Sequence, residues 1–219
     1  MKRLGFNTVF AVVLSLIFVA VVLWQIPGLV GGRLTKDEIA RYLVQIERQV
    51  PLPPDEKPAV LAHVRAFAEA DDGKPFYMLN LMRYHDKLRM FPGAPTFSGS
   101  PREANALYEH ATIPLAVKRG AFPIFAGETH GANVMGFGPG QDGWSRVMLV
   151  RYPSRRAILD LLTDPAYGPI EPYKLMVLEV VLAPTWAELV FPPFWVAAGA
   201  VLLLIFLATG WARAARSRD

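Results

Sequence analysis

Hydrophobic residues follow three different patterns along this chain. Two runs without any charged residue lie near its ends, at 6–30 and 190–211. Each run is long enough to cross a hydrocarbon layer as a helix, which takes about 20 apolar residues. Between them, apolar residues recur first at helical spacing and then in alternation with polar ones. The pattern predicts two transmembrane helices that flank a folded central part.

The first section of the central part predicts two helices. Thr35 and Glu38 stand three residues apart, which is the capping-box pattern of a helix start. The following apolar residues share one face at helical spacing: Ile39, Leu43, Ile46 and Val50. The proline-rich stretch "PLPPDEKP" ends this helix and starts another, since proline suits only the first turn. A helical lead-in over 32–73 is therefore expected.

Beyond Lys74 the spacing changes to that of a sheet with two helices. The predicted strands are 76–84, 122–130, 144–152 and 174–183, and the predicted helices are 101–119 and 154–163. The order βαββαβ is the ferredoxin-like arrangement, an antiparallel sheet with both helices on one face. The predicted fold class is thus α+β, a ferredoxin-like sheet of the dimeric α+β barrel type between two transmembrane helices. The predicted domain boundaries are 1–31, 32–73, 74–187, 188–212 and 213–219.

Charges near the two apolar runs predict the orientation of the chain. Lys2 and Arg3 precede the first run, and Arg213, Arg216 and Arg218 follow the second. Because basic residues favour the cytoplasmic side, both termini are expected there, in a two-pass cell-membrane protein. The central domain is then extracytoplasmic, and periplasmic if the source is Gram-negative. A cleaved signal peptide is the alternative for the first run, although that run exceeds the usual apolar core of about 7–15 residues.

Composition excludes several function classes. Without the five basic flanking residues and Asp219, the central part has equal numbers of acidic and basic residues, so no nucleic-acid partner is expected. The absence of cysteine excludes disulfides and thiol catalysis. The glycine-rich stretch "GANVMGFGPGQDG" lacks the spacing of a phosphate-binding loop, and it predicts a flexible connection between two strands.

Two stretches of the central part resemble a known family. They are "MLNLMRYHD" and "WSRVMLVRYPSRRAILDLLTDPAYGPI", and together with Gly127 and Glu128 they are similar to the domain of unknown function family numbered 1330. That family lies within the dimeric α+β barrel superfamily, and the similarity covers about 74–183. The resemblance implies a homodimer whose two sheets face each other and enclose a small cavity. The wider superfamily includes cofactor-free oxygenases, lactone isomerases and haem enzymes.

Asn80 interrupts an apolar strand, which marks it as a candidate site residue. Alternation predicts that Leu79 and Leu81 face the helices and that Asn80 faces the uncovered side. Alternation on the other strands adds Glu128, His130, Arg146 and Glu179 as candidate ligand-cavity residues beside Asn80. Tyr108 and His110 are the further candidates, because they lie on the first long helix, which can reach the mouth of a cavity. In a catalytic reading, a histidine or Glu128 accepts a proton, and Asn80 or Arg146 stabilises an oxyanion. In a structural reading, Asn80, Arg146 and Glu179 form a hydrogen-bonded network that holds the dimer.

Three functions remain open at this stage. The chain could be an enzyme that acts on a small apolar molecule, a binding module for a lipid-like ligand, or an interaction subunit of a membrane complex. The expected partners are the lipid bilayer, a second copy of the chain, a small apolar ligand and a membrane-complex partner. No cofactor and no metal are predicted, because His110, His130 and Glu128 match no established ligand spacing.

Overall fold

The computed structural model describes residues 6–136, 138, 140, 142–190 and 194–216. Their helices are α1 Phe6–Gln25, α2 Gly28–Gly31, α3 Lys36–Gln49, α4 Lys57–Glu69, α5 Pro101–Lys118, α6 Arg155–Leu162, α7 Glu171–Leu175 and α8 Phe194–Arg216. Their strands are β1 Phe76–Tyr84, β2 Phe122–Glu128, β3 Arg146–Tyr152 and β4 Leu178–Thr185. The chain divides into two compact units, Met1–Trp186 and Ala187–Asp219, and the second contains α8.

The four strands form one antiparallel sheet in the order β2-β3-β1-β4. Asn80 in the central strand β1 lies opposite Met148 of β3 and Leu182 of β4. The core of the first unit combines this sheet with helices. Leu159 of α6 and Met176, just after α7, are both fully buried there. The sheet and the helices together establish an α+β protein.

Two helices, α3 and α4, lie within the predicted helical lead-in. Thr35 caps α3, and its backbone N–H donates to Glu38 Oε2 over 2.8 Å while Glu38 N–H donates to Thr35 Oγ1 over 3.3 Å. The predicted apolar face of α3 is buried, with exposed fractions of 5% for Ile39, 7% for Leu43 and 2% for Ile46. Burial of this face against the core provides the main stabilisation of a helix of this length.

The predicted membrane topology is contradicted. Over the described residues, no helix combines the length and the apolar character of a membrane span. This finding overturns the two predicted transmembrane helices, and with them the two-pass localisation and the extracytoplasmic placement of the central domain. Lys2, Arg3 and Arg218, which carried part of the predicted orientation, lie outside the described residues.

The predicted fold class is contradicted as well. The class required two membrane spans, and none is found among the described residues. In addition, α3, α4 and α7 accompany the two helices that connect the strands, so the arrangement is not a clear ferredoxin-like fold. The sheet itself and its antiparallel pairing agree with the prediction.

The fourth strand begins later than predicted. It was expected at 174–183, whereas β4 covers Leu178–Thr185 and the preceding residues form the short helix α7. Pro172 lies in the first turn of α7, where its fixed backbone angle favours a helix start. This helix turns Lys174 into the interior of the protein, where it is 9% exposed.

Candidate functional site

The two faces of the sheet are assigned the opposite way from the prediction. Met78 and Met82 are buried, with exposed fractions of 7% and 4%, whereas Leu79 and Leu81 are only half-buried. We call the side of Met78 and Met82 the covered face, and the side of Leu79 and Leu81 the open face. Asn80 lies on the covered face beneath α5, so its predicted position on the uncovered face is wrong.

The Asn80 amide is held by main-chain carbonyls of its own sheet. Its Nδ2 donates to the Met78 oxygen over 3.0 Å and to the Met148 oxygen over 3.3 Å. These two bonds satisfy both amide hydrogens, which offsets the cost of placing an amide among methionine side chains. Asn80 also lines a small cavity between the sheet and α5.

This cavity, which we call the inner cavity, has a volume of about 60 Å³. Its walls come from β1, β3, α5 and α7. Apolar residues such as Met82 and Val150 form part of its lining. The polar side chains that line it are Asn80, Asn105, Tyr108, Glu109, Thr112, Tyr152 and Lys174. Such a density of polar groups in a protein interior requires that they be hydrogen-bonded to one another or to a bound molecule.

Ionisable groups around the inner cavity have shifted pKa values. Burial raises the pKa of Glu171, although Lys174 and a short hydrogen bond from Tyr167 act against this rise. Burial disfavours the charged form of Lys174 and so lowers its pKa. Interactions with Tyr108 and Glu171 outweigh this effect, and the pKa of Lys174 is raised. Burial also raises the pKa values of the Tyr108 and Tyr152 phenols. These phenols therefore remain protonated at neutral pH and can donate hydrogen bonds.

A charged pair lies at one side of the inner cavity. Arg146 donates to Glu109 through Nε over 3.0 Å and through Nη2 over 2.9 Å. Asn105 Nδ2 donates to the same carboxylate over 2.9 Å and to the Tyr84 hydroxyl over 3.2 Å. The two-point contact fixes the carboxylate and the guanidinium in one plane. The pair thereby joins α5 to the central strands.

A second concave region, which we call the outer groove, lies on the side of the open face. It has a volume of about 600 Å³ and runs between Leu81 and the loop that connects β2 to β3. Leu81, Val134 and Trp144 contribute apolar surface to it, and His130 and Asp142 contribute polar groups. Its volume falls within the range of about 300–1,000 Å³ that is typical of ligand pockets.

Arg83 ties the loop of the outer groove to the sheet. Its guanidinium donates to the main-chain oxygens of Gly140 over 2.7 Å and of Asp142 over 2.6 Å. The same group lies 4.4 Å from the centre of the Trp144 ring and donates to Glu179 over 2.8 Å. Gly140 has a φ of 82°, which a residue with a side chain adopts only with strain. These contacts connect Gly140 and Asp142 to the sheet.

The structure distributes the predicted site residues over several places instead of one. Asn80 and Tyr108 meet at the inner cavity, and Arg146 joins them through its pair with Glu109. His130 lines the outer groove. The remaining candidates lie elsewhere: His110 is exposed on α5, Glu128 pairs with Arg102 at the surface, and Glu179 pairs with Arg83 on the open face.

Sequence reasoning missed most of the polar residues of the two sites. At the inner cavity these are Asn105, Thr112 and Lys174, and at the outer groove the important one is Arg83. Lys174 was assigned to a strand that does not include it. The i, i+4 spacing of Asn105 and Glu109 on one helix face is the one local signal that could have indicated the buried network.

Within the described ranges, no group of three His, Asp or Glu side chains is placed to hold a metal ion. The two carboxylates near the inner cavity are already engaged, Glu109 by Arg146 and Glu171 by Tyr167.

Comparisons with known proteins give a limited result. No family model matches the chain, and no curated protein matches it. The structure is similar to that of the RPA0582 protein of unknown function from Rhodopseudomonas palustris, with 24% identity over 61% of this chain and 94% of that chain and a TM-score of 0.48. The crystal structure of methylated RPA0582 protein matches at 25% identity over 60% and 91% of the two chains, with a TM-score of 0.49. Similarity at these TM-scores carries no functional argument, and the resemblance to the family numbered 1330 stays a prediction.

Proposed function

We propose that this protein binds a small, largely apolar molecule in the outer groove. The observation that carries the proposal is the groove itself, a concave region of about 600 Å³ whose walls include Leu81, Val134 and Trp144. Ligand sites of this size are mostly apolar and contain a few polar groups that fix the orientation of the ligand. His130 and Asp142 supply such groups here.

The contacts of Arg83 support a binding role for this loop. A binding surface that is ordered before the ligand arrives loses less conformational entropy on binding. Arg83 anchors the loop at Gly140 and Asp142, and Asp142 Oδ1 accepts a further hydrogen bond from Asn133 N–H over 2.5 Å. These hydrogen bonds fix Gly140 and Asp142, two residues that line the outer groove.

His130 supplies a hydrogen-bonding group at the groove. It is exposed there, and an imidazole can donate or accept a hydrogen bond. A ligand with an apolar body and one hydrogen-bonding group would satisfy both the apolar wall and this imidazole.

Filling the groove tests the proposal. Leu81→Trp places a larger side chain in the groove, whereas Leu79→Trp makes the same change on the same face outside it. The probe is 8-anilinonaphthalene-1-sulfonate, titrated into the purified full chain and both variants and followed by its fluorescence. We expect a saturable phase in the wild type and in Leu79→Trp, and affinity at least about tenfold weaker in Leu81→Trp, which corresponds to about 1.4 kcal/mol.

Other outcomes of this titration contradict the proposal. If Leu81→Trp binds as the wild type does, the probe occupies another surface. If both variants lose binding equally, the open face in general binds the probe and the groove has no special role. Mass spectrometry of small molecules extracted from the wild type and Leu81→Trp then identifies a natural ligand, which we expect to be depleted in Leu81→Trp.

A second candidate function is self-association through the open face. Phe125 and Val181 on this face are 56% and 45% exposed, which is high for large apolar residues of a sheet. The charges near them are already paired, since Arg83 and Glu179 form an ion pair within one chain. A second copy would bring the same neutral and apolar surface, so we propose it as the occupant of this face.

The oligomeric state tests this second candidate. Light scattering coupled to size-exclusion chromatography should give a dimer mass for the wild type and a monomer mass for Val181→Arg, because two-fold symmetry brings the new charges together. Val44→Arg is the matched control, since Val44 is 48% exposed but lies on α3. A monomeric wild type, or equal dimerisation of Val181→Arg, would rule this interface out.

A further inference from the structure

We infer that the inner cavity is a built site for bound water, which links the Lys174 ammonium to Asn105 and Thr112. Two buried oxygens at this cavity lack a hydrogen-bond partner among the described residues, Asn105 Oδ1 and Thr112 Oγ1. Their residues are 3% and 8% exposed, so bulk water does not reach them. A buried acceptor without a donor costs about 1–3 kcal/mol, which favours an occupant that donates.

The orientation of the Asn105 amide is fixed by its neighbours. Its Nδ2 donates to Glu109 and to the Tyr84 hydroxyl. Turning the amide over would place Oδ1 against the Glu109 carboxylate, and two acceptors repel each other. Asn105 Oδ1 must therefore receive its hydrogen bond from a molecule in the cavity. Thr112 lies on the same side of α5 and also lines the inner cavity, close to the Tyr108 phenol.

Lys174 supplies the opposite requirement. Its ammonium has three hydrogens to donate. One of them is directed to the Tyr108 hydroxyl, whose ring centre lies 5.4 Å from the Lys174 nitrogen, which leaves two hydrogens for other acceptors. Water satisfies both demands, because one molecule accepts from the ammonium and donates to an amide oxygen. Arg146 is paired with Glu109, and the Lys174 ammonium lies near the Glu171 carboxyl group, so groups of both signs surround the cavity and a neutral occupant fits it.

The size of the inner cavity limits what it can hold. The inner cavity has a volume of about 60 Å³, which exceeds the about 10–15 Å³ that a cavity needs to hold a water molecule. This volume is about a tenth of that of the outer groove, about 600 Å³. The site is therefore separate from the proposed ligand groove.

Magnetic relaxation dispersion of water ¹⁷O in solutions of the full chain tests the inference, since its amplitude counts long-lived internal water molecules. Thr112→Val removes a partner of the water and keeps the side-chain shape. We expect the amplitude to fall by the contribution of one or two molecules relative to the wild type. Thr163→Val is the matched control, because the Thr163 hydroxyl is buried but donates to the Leu159 oxygen away from this cavity, and its amplitude should equal that of the wild type.

A crystal structure of the wild type gives an independent answer if a variant does not fold. Density for a water oxygen within hydrogen-bond distance of Asn105 Oδ1 and Lys174 Nζ supports the inference. A dry cavity, or an organic molecule in it, overturns the inference, as does an unchanged dispersion amplitude in Thr112→Val.

Discussion

Removal of Arg146 tests whether its pair with Glu109 stabilises the packing of α5 on the sheet. Arg146→Met keeps most of the apolar stem of the side chain and removes the guanidinium. The Glu109 carboxylate then loses two hydrogen bonds, of 3.0 and 2.9 Å, and keeps the bond from Asn105. A half-buried carboxylate without its cation is destabilised, so the free energy of unfolding should decrease.

The expected magnitude follows from burial. Removing one partner of a fully buried ion pair costs about 3–5 kcal/mol, whereas an exposed pair contributes about 0.2–1 kcal/mol. The Arg146 and Glu109 side chains are 20% and 18% exposed, so the pair lies between these limits. Because Asn105 still compensates one oxygen, we expect Arg146→Met to cost about 2 kcal/mol. A change of that size is large relative to the stability of about 5–15 kcal/mol that is usual for a folded protein.

Urea unfolding followed by far-UV circular dichroism measures this cost. A double-mutant cycle with Glu109→Gln separates the pair from the individual side chains, and the double variant should lose less than the sum of the single ones by at least about 1 kcal/mol. Arg102→Met is the control, since it breaks the pair of Arg102 with Glu128, whose side chains are 58% and 52% exposed. Additive effects in the cycle, or equal costs for Arg146→Met and Arg102→Met, would refute the reasoning.

Three further predictions concern stability. Ser100→Ala removes the side-chain cap of α5 and should cost about 1 kcal/mol in urea unfolding, and no change in the midpoint would show that this cap is dispensable. Leu159→Ala should cost about 2–5 kcal/mol, because Leu159 is 0% exposed and leaves a cavity; a loss below about 1 kcal/mol would mean that the core collapses around it. The hydrogen bond from Arg156, followed by those from Thr35, lowers the pKa of Glu38 from 4.5 to about 2. The lowered pKa of Glu38 stabilises the folded state above about pH 4.5, and this stabilisation should be lost as the pH falls from about 4.5 to about 2. The difference in the free energy of unfolding between the wild type and Glu38→Gln should therefore shrink over the same interval.

Local structure could be predicted from the sequence because its causes are local. The cap of α3 depends on Thr35 and Glu38, three residues apart, and the structure contains the predicted reciprocal hydrogen bonds. The strand predicted at 76–84 has those same bounds as β1. Period-two alternation and a capping box are complete within one short segment, so no distant residue is needed to read them.

The choice between the two sheet faces required the tertiary structure. Leucines occupy one face of β1 and methionines with Asn80 the other, so alternation shows that two faces exist but not which one the helices cover. The prediction chose the leucines, and the structure has the methionines beneath α5. The start of β4 was missed for a related reason, because an apolar run such as "KLMVLEVVL" suits either a helix end or a strand.

The two sites also depended on the tertiary structure, because each joins residues that are far apart in the chain. Arg146 meets Glu109 across 37 positions, and Arg83 meets the Gly140 carbonyl across 57. Sequence spacing predicts contacts only within a helix or a strand, whereas these contacts arise from the order in which strands pair and helices pack. By itself the sequence determined the helices α3, α4, α5 and α6, most of the strands and their alternation. The tertiary structure alone decided which polar residues meet, since side chains become neighbours in space only after the sheet has assembled.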